Sequence, residues 1–373
     1  MASVKIKENV YWVGAIDWDV RHFHGYLTPR GTTYNAYLVL DKKITLIDTV
    51  KAPFAEEMLA NIREVVDPAR IDIHISNHAE PDHSGGLPAL LAACPAMQVY
   101  TTANGLKELS AYYHDLTVNS TVVKAGDTLC TGRYNFDFIP MPMVHWPDSM
   151  STLLREEGLL FSNDAMGQHI ACTERFDDEI GPERLLERAG DYYANIVLPF
   201  GMQVNKLLND LSSRSFSLVA PSHGVVLRSF PEEMSAAYAR WASNQTDPQR
   251  AVIVFDSMWG STHLMARQLE QEWQEQGYTV QTLCLSDTHV STCMAALLDA
   301  ARIAVGCSTL NRQVMPTMGA FLVYLKGLSP KNRTGLAFGS YGWSGESIGL
   351  IEETLKALGW ALFPARRCQW KPI

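Results

Sequence analysis

The sequence lacks three features that would each indicate a particular class of protein. Its seven cysteines never occur with Cys-x-x-Cys spacing, which argues against a rubredoxin or iron–sulfur module in this chain and fits reduced, buried thiols. No stretch reaches the roughly 18 apolar residues that a membrane helix needs. The first eight residues contain no apolar leader. We therefore expect a soluble, cytoplasmic protein.

Positive charge is also in short supply. The chain has 31 Lys and Arg against 40 Asp and Glu, which gives a formal net charge of −9. An average field of this sign repels a phosphate backbone or an acidic lipid surface, so the charge argues against nucleic acid and against a membrane as partners. A length of 373 residues with 47% hydrophobic content predicts a globular protein of two domains.

The first half of the chain carries short apolar runs at residues 10–13, 34–40 and 44–47, which are typical of an antiparallel sheet. A helical pattern follows at 54–66, then a strand at 71–75, a helix at 88–93, and further strands at 98–101, 121–123 and 134–139. This order predicts a layered α/β sandwich with helices on its outer faces.

Seven side chains of the kinds that bind metals follow the ends of predicted strands. Four of them fall within six residues directly after the strand at 71–75, a density that a solvated turn does not need. Each of the others, taken singly, would more often be a turn residue or a satisfied polar group. Together they predict a dinuclear metal site, whose candidate ligands are His78, Glu80, Asp82, His83, His145, Asp164 and His223.

These residues, with the string His-Trp-Pro-Asp-Ser-Met at 145–150 and the string at 162–169, resemble the metallo-β-lactamase-like αββα domain of the flavodiiron proteins, also called A-type flavoproteins. The resemblance implies two irons bridged by Asp164. One iron would be bound by His78, Glu80 and His145, and the other by Asp82, His83 and His223, although the counterpart of His83 is not a ligand in every member.

Glu80 supports iron independently of the resemblance. Zinc hydrolases of the same superfamily have a histidine at this position, and a carboxylate makes the site harder and more negative, which suits an iron pair that changes oxidation state. Zinc is redox-inert and would use the same fold for hydrolysis. A zinc-dependent hydrolase with an attached flavodoxin-like domain therefore stays open as the alternative.

The second half alternates strands and helices, beginning with a buried strand at 251–255 and a helix at 263–274 whose inward residues would be Leu264, Met265, Leu269 and Trp273. This alternation predicts a doubly wound parallel sheet. The polar segment at 242–250 separates the two patterns. We therefore predict domains at 1–248 and 249–373.

Three loops at carboxyl ends of strands in this sheet are candidates for ligand binding, and they resemble the loops of flavodoxin-like domains that bind FMN. The resemblance also implies a last strand and a last helix, of which the helix is expected to be missing. The candidate FMN-binding residues are Ser257, Met258, Trp259, Gly260, Ser261, Thr262, Ser308, Thr309, Leu310, Asn311, Ser340, Tyr341, Gly342, Trp343 and Gly345.

The two halves resemble one family in the order that this family uses. The resemblance implies an oxidoreductase that passes electrons from FMN to a non-haem di-iron site and reduces O2 to water, NO to N2O, or both. It further implies rubredoxin or another external electron donor, and a head-to-tail homodimer or a dimer of dimers. His24, Trp146 and Tyr193 are candidates for positions beside the irons or between flavin and irons. A second alternative is a non-catalytic electron carrier without metal.

Overall fold

A computed structural model describes residues 2–115 and 118–372 of the chain. The first two thirds contain many short strands. In chain order these strands are β1 (Val4–Lys7), β2 (Val10–Trp12), β3 (Ala15–Asp17), β4 (His22–Phe23), β5 (Tyr26–Leu27), β6 (Thr32–Tyr34), β7 (Tyr37–Val39), β8 (Ile44–Ile47), β9 (Ile71–Ile75), β10 (Gln98–Thr101), β11 (Ser120–Val122), β12 (Thr128–Cys130), β13 (Asn135–Pro140), β14 (Met150–Leu154), β15 (Leu159–Asn163) and β16 (Leu218–Pro221).

Helices fall between these strands and after them. In chain order they are α1 (Ala55–Arg63), α2 (Pro81–Ser84), α3 (Leu87–Ala93), α4 (Ala103–Tyr112), α5 (Asp177–Ile180), α6 (Pro182–Tyr192), α7 (Gly201–Ser212) and α8 (Pro231–Ala242). A π-helical turn, Tyr193–Val197, follows α6. In the described ranges, no helix combines the length and the apolar character that crossing a membrane requires.

The two large sheets of this part pack face to face. In the described residues, one sheet has the strand order β1-β2-β7-β8-β9-β10-β11, and the other has the order β12-β13-β14-β15-β16. Their inner faces share one core, in which the rings of Tyr37 and Phe161 lie 5.3 Å apart and those of Tyr100 and Phe138 lie 6.2 Å apart. On the outside, α1 buries Met58. The sandwich predicted from the sequence is confirmed.

The last third of the chain forms a separate parallel sheet with its own core. Its elements are β17 (Asp247–Asp256), α9 (Ser261–Glu275), β18 (Thr279–Cys284), α10 (Val290–Leu297), β19 (Ala300–Cys307), α11 (Pro316–Leu328), β20 (Thr334–Tyr341), α12 (Glu346–Ala357), β21 (Ala361–Leu362) and β22 (Arg366–Gln369). The strand order is β18-β17-β19-β20, followed by β21 and β22, which both pair with β20. This is the flavodoxin-like order of a doubly wound sheet, as predicted. No helix follows β22 within the described residues.

Contacts between Cα atoms divide the chain into two compact units. The first unit comprises Met1–Phe23, Thr28–Ala189 and Met202–Tyr238, and the second comprises His24–Leu27, Gly190–Gly201 and Ala239–Ile373. The boundary expected at 248/249 falls inside β17, so the polar segment at 242–250 is partly strand. Sequence composition does not reveal the two short segments from the first half that belong to the second unit, because their packing partners are distant in the chain.

Two local predictions are wrong. The apolar run at 34–40 is not one strand, because β6 pairs with β3 while β7 pairs with β2. In α9, Leu264 is 41% exposed, while Met265, Leu269 and Trp273 are buried as predicted. Neighbouring residues in a helix point about 100° apart, so an apolar residue beside the inward stripe can still face water.

Candidate metal centre and ligand cleft

The segment after β9 delivers four candidate ligands from one tight turn of the first unit. Pro81 opens the one-turn helix α2, where its missing N–H costs nothing. Glu80 occupies the position just before this helix, and Asp82 and His83 lie inside it. The hydroxyl of Ser84 donates to the carbonyl of Glu80 at 3.0 Å, which ties the end of the turn to its start. The short spacing of this motif therefore places its side chains around one point.

The other three candidates follow strands of the second sheet. His145 lies in the loop after β13, Asp164 directly after β15, and His223 after β16. Asn163 has a φ of 55°, a left-handed conformation that asparagine tolerates better than most residues, and its side-chain amide donates to the hydroxyl of Ser222 at 3.2 Å. This turn sets the direction of the Asp164 side chain. Neighbouring strands thus bring ligands that are far apart in sequence to one edge of the sandwich.

The first group of ligand atoms converges in a small volume. His78, Glu80, His145 and Asp164 each offer an atom within 4.8 Å of the others. Glu80 Oε2 lies 3.2 Å from His78 Nε2 and 3.4 Å from His145 Nε2. Asp164 Oδ2 lies 3.2 Å from His145 Nε2. Two imidazole nitrogens and two carboxylate oxygens therefore face a common centre.

The second group contains Asp82, His83 and His223. Asp82 Oδ2 lies 3.2 Å from Nε2 of both histidines. The other oxygen of Asp164, Oδ1, lies 3.1 Å from His83 Nε2 and 3.6 Å from His223 Nε2. Asp164 therefore presents one oxygen to each group, as a bridging carboxylate would.

The donor set fits a pair of metal ions. Both carboxylate oxygens of Asp82 and of Asp164 are buried, and neither carboxylate receives a hydrogen bond of good geometry from the described part of the chain. Such groups are costly to bury without a partner. Ligand atoms about 2.1 Å from one ion lie about 3.0 to 3.4 Å from one another, close to the spacings observed here. The cluster is thus arranged as two metal ligand sets rather than as a hydrogen-bonded network.

Two of the imidazoles are fixed from behind. The Nδ1 atom of His78 lies 3.0 Å from both carboxylate oxygens of Asp148, and Nδ1 of His223 lies 2.6 Å from the carbonyl oxygen of Thr33. These contacts hold each Nε2 toward the cluster, which is a usual arrangement for metal-binding histidines. The sequence prediction missed both supporting residues. Asp148 stands in the recognised string at 145–150, but nothing local marks Thr33.

The electrostatics of the cluster follow from its charge balance. Burial opposes protonation of His78 and His83. Even so, the hydrogen bond to Asp148 raises the pKa of His78 well above its usual range, and the charges of Asp82 and Asp164 raise the pKa of His83 to about 9. Burial would raise the pKa of Asp164, yet the charge of His83 helps to hold it well below its usual range. The carboxylates therefore favour cations, and protons compete with metal for the same nitrogens.

The second unit has a cleft at the carboxyl ends of β17, β19 and β20, with a volume of about 710 Å³. Cavities of this size hold small ligands in many proteins. The described residues that line it are Met258, Trp259, Ser261, Ser308, Thr309, Leu310, Asn311, Arg312, Ser340, Tyr341, Gly342, Trp343, Ser344 and Trp370. Among them Arg312 carries the only formal charge. Hydroxyls, backbone N–H groups and the N-terminus of the long helix α9 provide donors suited to a phosphate, and exposed indoles suit an aromatic ring system.

Four of the predicted cleft residues do not line it. The Thr262 hydroxyl lies 2.8 Å from that of Ser340 and 3.1 Å from that of Ser308, so it binds the loops to one another. A Cβ atom on Gly345 would lie 2.8 Å from the Tyr341 ring, so this glycine makes room for that ring. Ser257 and Gly260 also lie outside the lining. Thr262 and Gly345 therefore shape the cleft from behind.

The structure adds three lining residues that the sequence prediction missed, namely Arg312, Ser344 and Trp370. Trp370 follows β22, which pairs with β20, and its carbonyl accepts a hydrogen bond from the Ser261 hydroxyl at 2.6 Å. Arg312 directly follows the predicted residue Asn311, and Ser344 lies between the predicted residues Trp343 and Gly345, so including every residue of those loops would have found both. No local signal marks Trp370.

The three candidates for positions around the cofactors have different surroundings. The Trp146 ring meets that of His78 edge to face, with centroids 5.1 Å apart. Tyr193 is buried in the π-helical turn, 5.2 Å from the ring of Trp241, and burial raises its pKa. His24 is exposed and has a φ of 50°. His24 and Tyr193 belong to the second unit, and the roles expected for them stay predictions.

Comparisons with known proteins match both units. A family model described as ODP family beta lactamase matches residues 32–224, and a flavodoxin model matches residues 253–371. The nitric oxide reductase of Moorella thermoacetica is 42% identical over 99% of this chain and 94% of its own. The rubredoxin-oxygen oxidoreductase of Megalodesulfovibrio gigas is 43% identical over 96% of this chain and 90% of its own.

A solved structure of the flavodiiron protein from Giardia intestinalis superimposes with a TM-score of 0.97 and 31% identity, covering 100% of this chain and 92% of that one. The fold and the two sites thus define a two-domain protein that joins a metallo-β-lactamase-like sandwich to a flavodoxin-like domain. The relatives named above are similar to this chain over almost its whole length, and this similarity identifies the family within that class. The chain belongs to the flavodiiron protein family.

Proposed function

We propose that this protein is an oxidoreductase that reduces NO to N2O, O2 to water, or both, at a non-haem di-iron site that receives electrons from FMN. The observation that carries the proposal is the position of Asp164, whose two oxygens face the two ligand groups within one buried cluster. The assignment of the metal centre to residues 1–248 and of FMN to residues 249–373 is part of the proposal.

The proposed reactions set the demands on the site. Coupling two NO molecules takes two electrons, and reducing O2 to water takes four. An iron pair held by these ligands would supply the redox chemistry at the gas, and bound FMN would supply further electrons. The protein residues then have to hold two ions side by side and keep the surrounding ligands in place.

The residues of the first unit meet these demands through position and charge. Asp164 is the proposed bridge, and Asp148 and Thr33 hold His78 and His223 with Nε2 toward the ions. Glu80 adds negative charge in the first group, which stabilises the more oxidised state of an iron pair. The same carboxylate argues against the zinc hydrolase alternative, because zinc gains nothing from such stabilisation.

In the second unit, the proposed FMN site uses neutral donors. The N-terminus of α9 and the hydroxyls of Ser261 and Thr309 are suited to the phosphate and the ribityl chain. Tyr341 and Trp343 are placed to stack on the isoalloxazine ring. Arg312 is the only charged residue in the described lining, and it would favour a negatively charged group of the bound flavin.

The electron donor and the assembly state are further parts of the proposal. A relative is named rubredoxin-oxygen oxidoreductase, and this supports rubredoxin or another external protein as donor. We infer a head-to-tail homodimer, or a dimer of dimers, in which the flavin of one subunit serves the irons of the other. Sedimentation analysis of the purified protein would test this. The cytoplasmic location also stays a prediction.

Stopped-flow consumption of NO and of O2 by the reduced protein tests the proposed activity, once iron, zinc and FMN contents have been measured. We expect two irons and one FMN per chain, with rapid turnover of at least one gas, and the relative rates then rank the substrates. Zinc in place of iron would favour the hydrolase. Gas consumption no faster than that by free FMN would contradict the proposal.

A further inference from the structure

Two carboxyl groups meet behind the proposed ligand His78. Asp148 is buried, lies 3.0 Å from His78 Nδ1, and accepts a hydrogen bond from the backbone N–H of Ala79 at 2.7 Å. The side chain of Glu108 is within hydrogen-bonding distance of the Asp148 carboxylate. Glu108 is therefore one contact further from the metal ligand than Asp148.

Helix α4 holds Glu108 in this position. The hydroxyl of Thr102, which caps the start of α4, donates to the backbone carbonyl of Asp148 at 3.0 Å. Four residues before Glu108, on the same face of the helix, the Asn104 amide donates to the carbonyl of Pro147 at 3.1 Å. Two hydrogen bonds thus dock the first turn of α4 onto the loop that carries Asp148. The approach of the two carboxyl groups is a built contact rather than a chance meeting of surface side chains.

The contact requires a proton. The Oε2 atom of Glu108 is shielded from water, and no donor among the described residues reaches it. Two ionised carboxylates in contact would repel each other, so such a pair keeps one proton. Asp148 faces the N–H groups of His78 and Ala79 and keeps its charge, whereas no donor among the described residues reaches Oε2 of Glu108. The proton therefore belongs on Glu108.

The surrounding charges agree with this assignment. Burial and then the charge of Asp148 raise the pKa of Glu108 to about 7, while His78 and Lys107 act in the opposite direction. Burial would raise the pKa of Asp148, but its hydrogen bond to His78 lowers it.

We propose that Glu108 is a protonated positioning residue, whose carboxyl O–H donates to Asp148 so that Asp148 in turn holds the His78 imidazole toward the metal. The proposal rests on the metal centre proposed above. The chain Glu108, Asp148, His78 extends the usual carboxylate–histidine–metal arrangement by one carboxylic acid. What matters is the donated hydrogen bond and not a negative charge, so an amide at position 108 can replace the acid.

Two substitutions at position 108 test whether the donated hydrogen bond is what holds Asp148 in place. Glu108→Gln keeps a donor of similar shape, and Glu108→Leu removes it. Glu56→Leu, at an exposed position of α1, is the matched control. Each variant is stripped of metal and titrated with Zn²⁺ alone against a chromophoric chelator. We expect Glu108→Leu to bind Zn²⁺ about tenfold more weakly, and Glu108→Gln and Glu56→Leu to bind it within about threefold of the parent.

An infrared spectrum of the parent minus Glu108→Gln at pH 6 gives a second, independent readout. We expect a carbonyl band of a protonated carboxylic acid that the variant lacks, and this readout does not need the leucine variant to fold. The inference would be overturned if Glu108→Gln and Glu108→Leu weakened Zn²⁺ binding equally. It would also be overturned if a folded Glu108→Leu variant bound Zn²⁺ as tightly as the parent, or if the infrared band were absent. A parent protein that binds no metal would instead refute the proposed function.

Discussion

The metal cluster of the first unit and the cleft of the second unit differ in burial and in charge. The seven candidate ligands are at most 9% exposed, and three of them are carboxylates. The cleft is open, its indoles at Trp259 and Trp343 are more than 80% exposed, and Arg312 is the only charged residue in its described lining. Buried charge needs a partner of opposite charge to be stable, whereas a single charge in an open cleft is stabilised by water. The first site therefore depends on its ions far more than the second depends on its ligand.

The largest effect is expected when Asp164, the proposed bridging carboxylate, is replaced. We expect Asp164→Asn to lower the metal content below the two ions per chain proposed here and to lower gas reduction by about a thousandfold, because the two oxygens of this carboxylate face the two ligand groups. FMN content should be unchanged. Metal analysis and gas consumption measure the effect, and Asp137→Asn, which removes a carboxylate paired with Arg155, is the control. Loss of FMN together with metal would contradict the independence of the two sites.

A second prediction concerns His74, a buried histidine outside the two proposed ligand groups. Burial lowers the pKa of His74 to about 4, against about 6.5 in an unfolded chain. The unfolded state therefore binds more protons between these values, and folding stability falls as the pH falls through this window, by about 3 kcal/mol in total. In urea unfolding followed by circular dichroism, His74→Gln should flatten this pH dependence.

The control for this experiment is His114→Gln, since the His114 side chain is 76% exposed. It should leave the slope of stability against pH unchanged between pH 6.5 and 4. The slope is compared instead of the stability itself, because the substitution of a buried residue also changes packing. Equal slopes for the parent and His74→Gln would show that folding does not change the pKa of His74.

In the open cleft a single aromatic side chain should matter less. Trp343→Ala should weaken FMN binding by about tenfold, or about 1.4 kcal/mol, because stacking on one ring face is lost. Equilibrium titration of the flavin-free protein with FMN, followed by flavin fluorescence, measures this. Trp18→Ala changes a half-exposed tryptophan of the first unit and should leave FMN affinity unchanged. Iron content should be the same in both variants.

The smallest effect is expected at Leu264. Because this side chain faces water on α9, Leu264→Ala should change the free energy of unfolding by less than about 0.5 kcal/mol. Leu269→Ala, one turn further on the buried face, should cost about 2 to 5 kcal/mol. Urea unfolding of both variants tests the correction to the sequence prediction. A larger loss for Leu264→Ala would restore the original prediction of an inward residue.

The sequence predicted what is encoded locally. The ligand motif after β9 and the loops after β17, β19 and β20 could be found because strand ends and their polar residues are adjacent in the chain. Contacts between distant segments could not be found in this way. His78 and Asp148 are 70 residues apart, Thr33 and His223 are 190 apart, and Ser261 and Trp370 are 109 apart. The packing of separate sheets and the pairing of β22 with β20 create these contacts, and a single sequence contains no local signal for either.

The most direct test of the paired metal centre is anomalous diffraction at the iron edge from crystals of the iron-loaded protein. We expect two anomalous peaks in each chain. One should lie among His78, Glu80 and His145, and the other among Asp82, His83 and His223. The Asp164 carboxylate should lie between the two peaks. A single peak, or a second peak away from the cluster, would contradict this expectation.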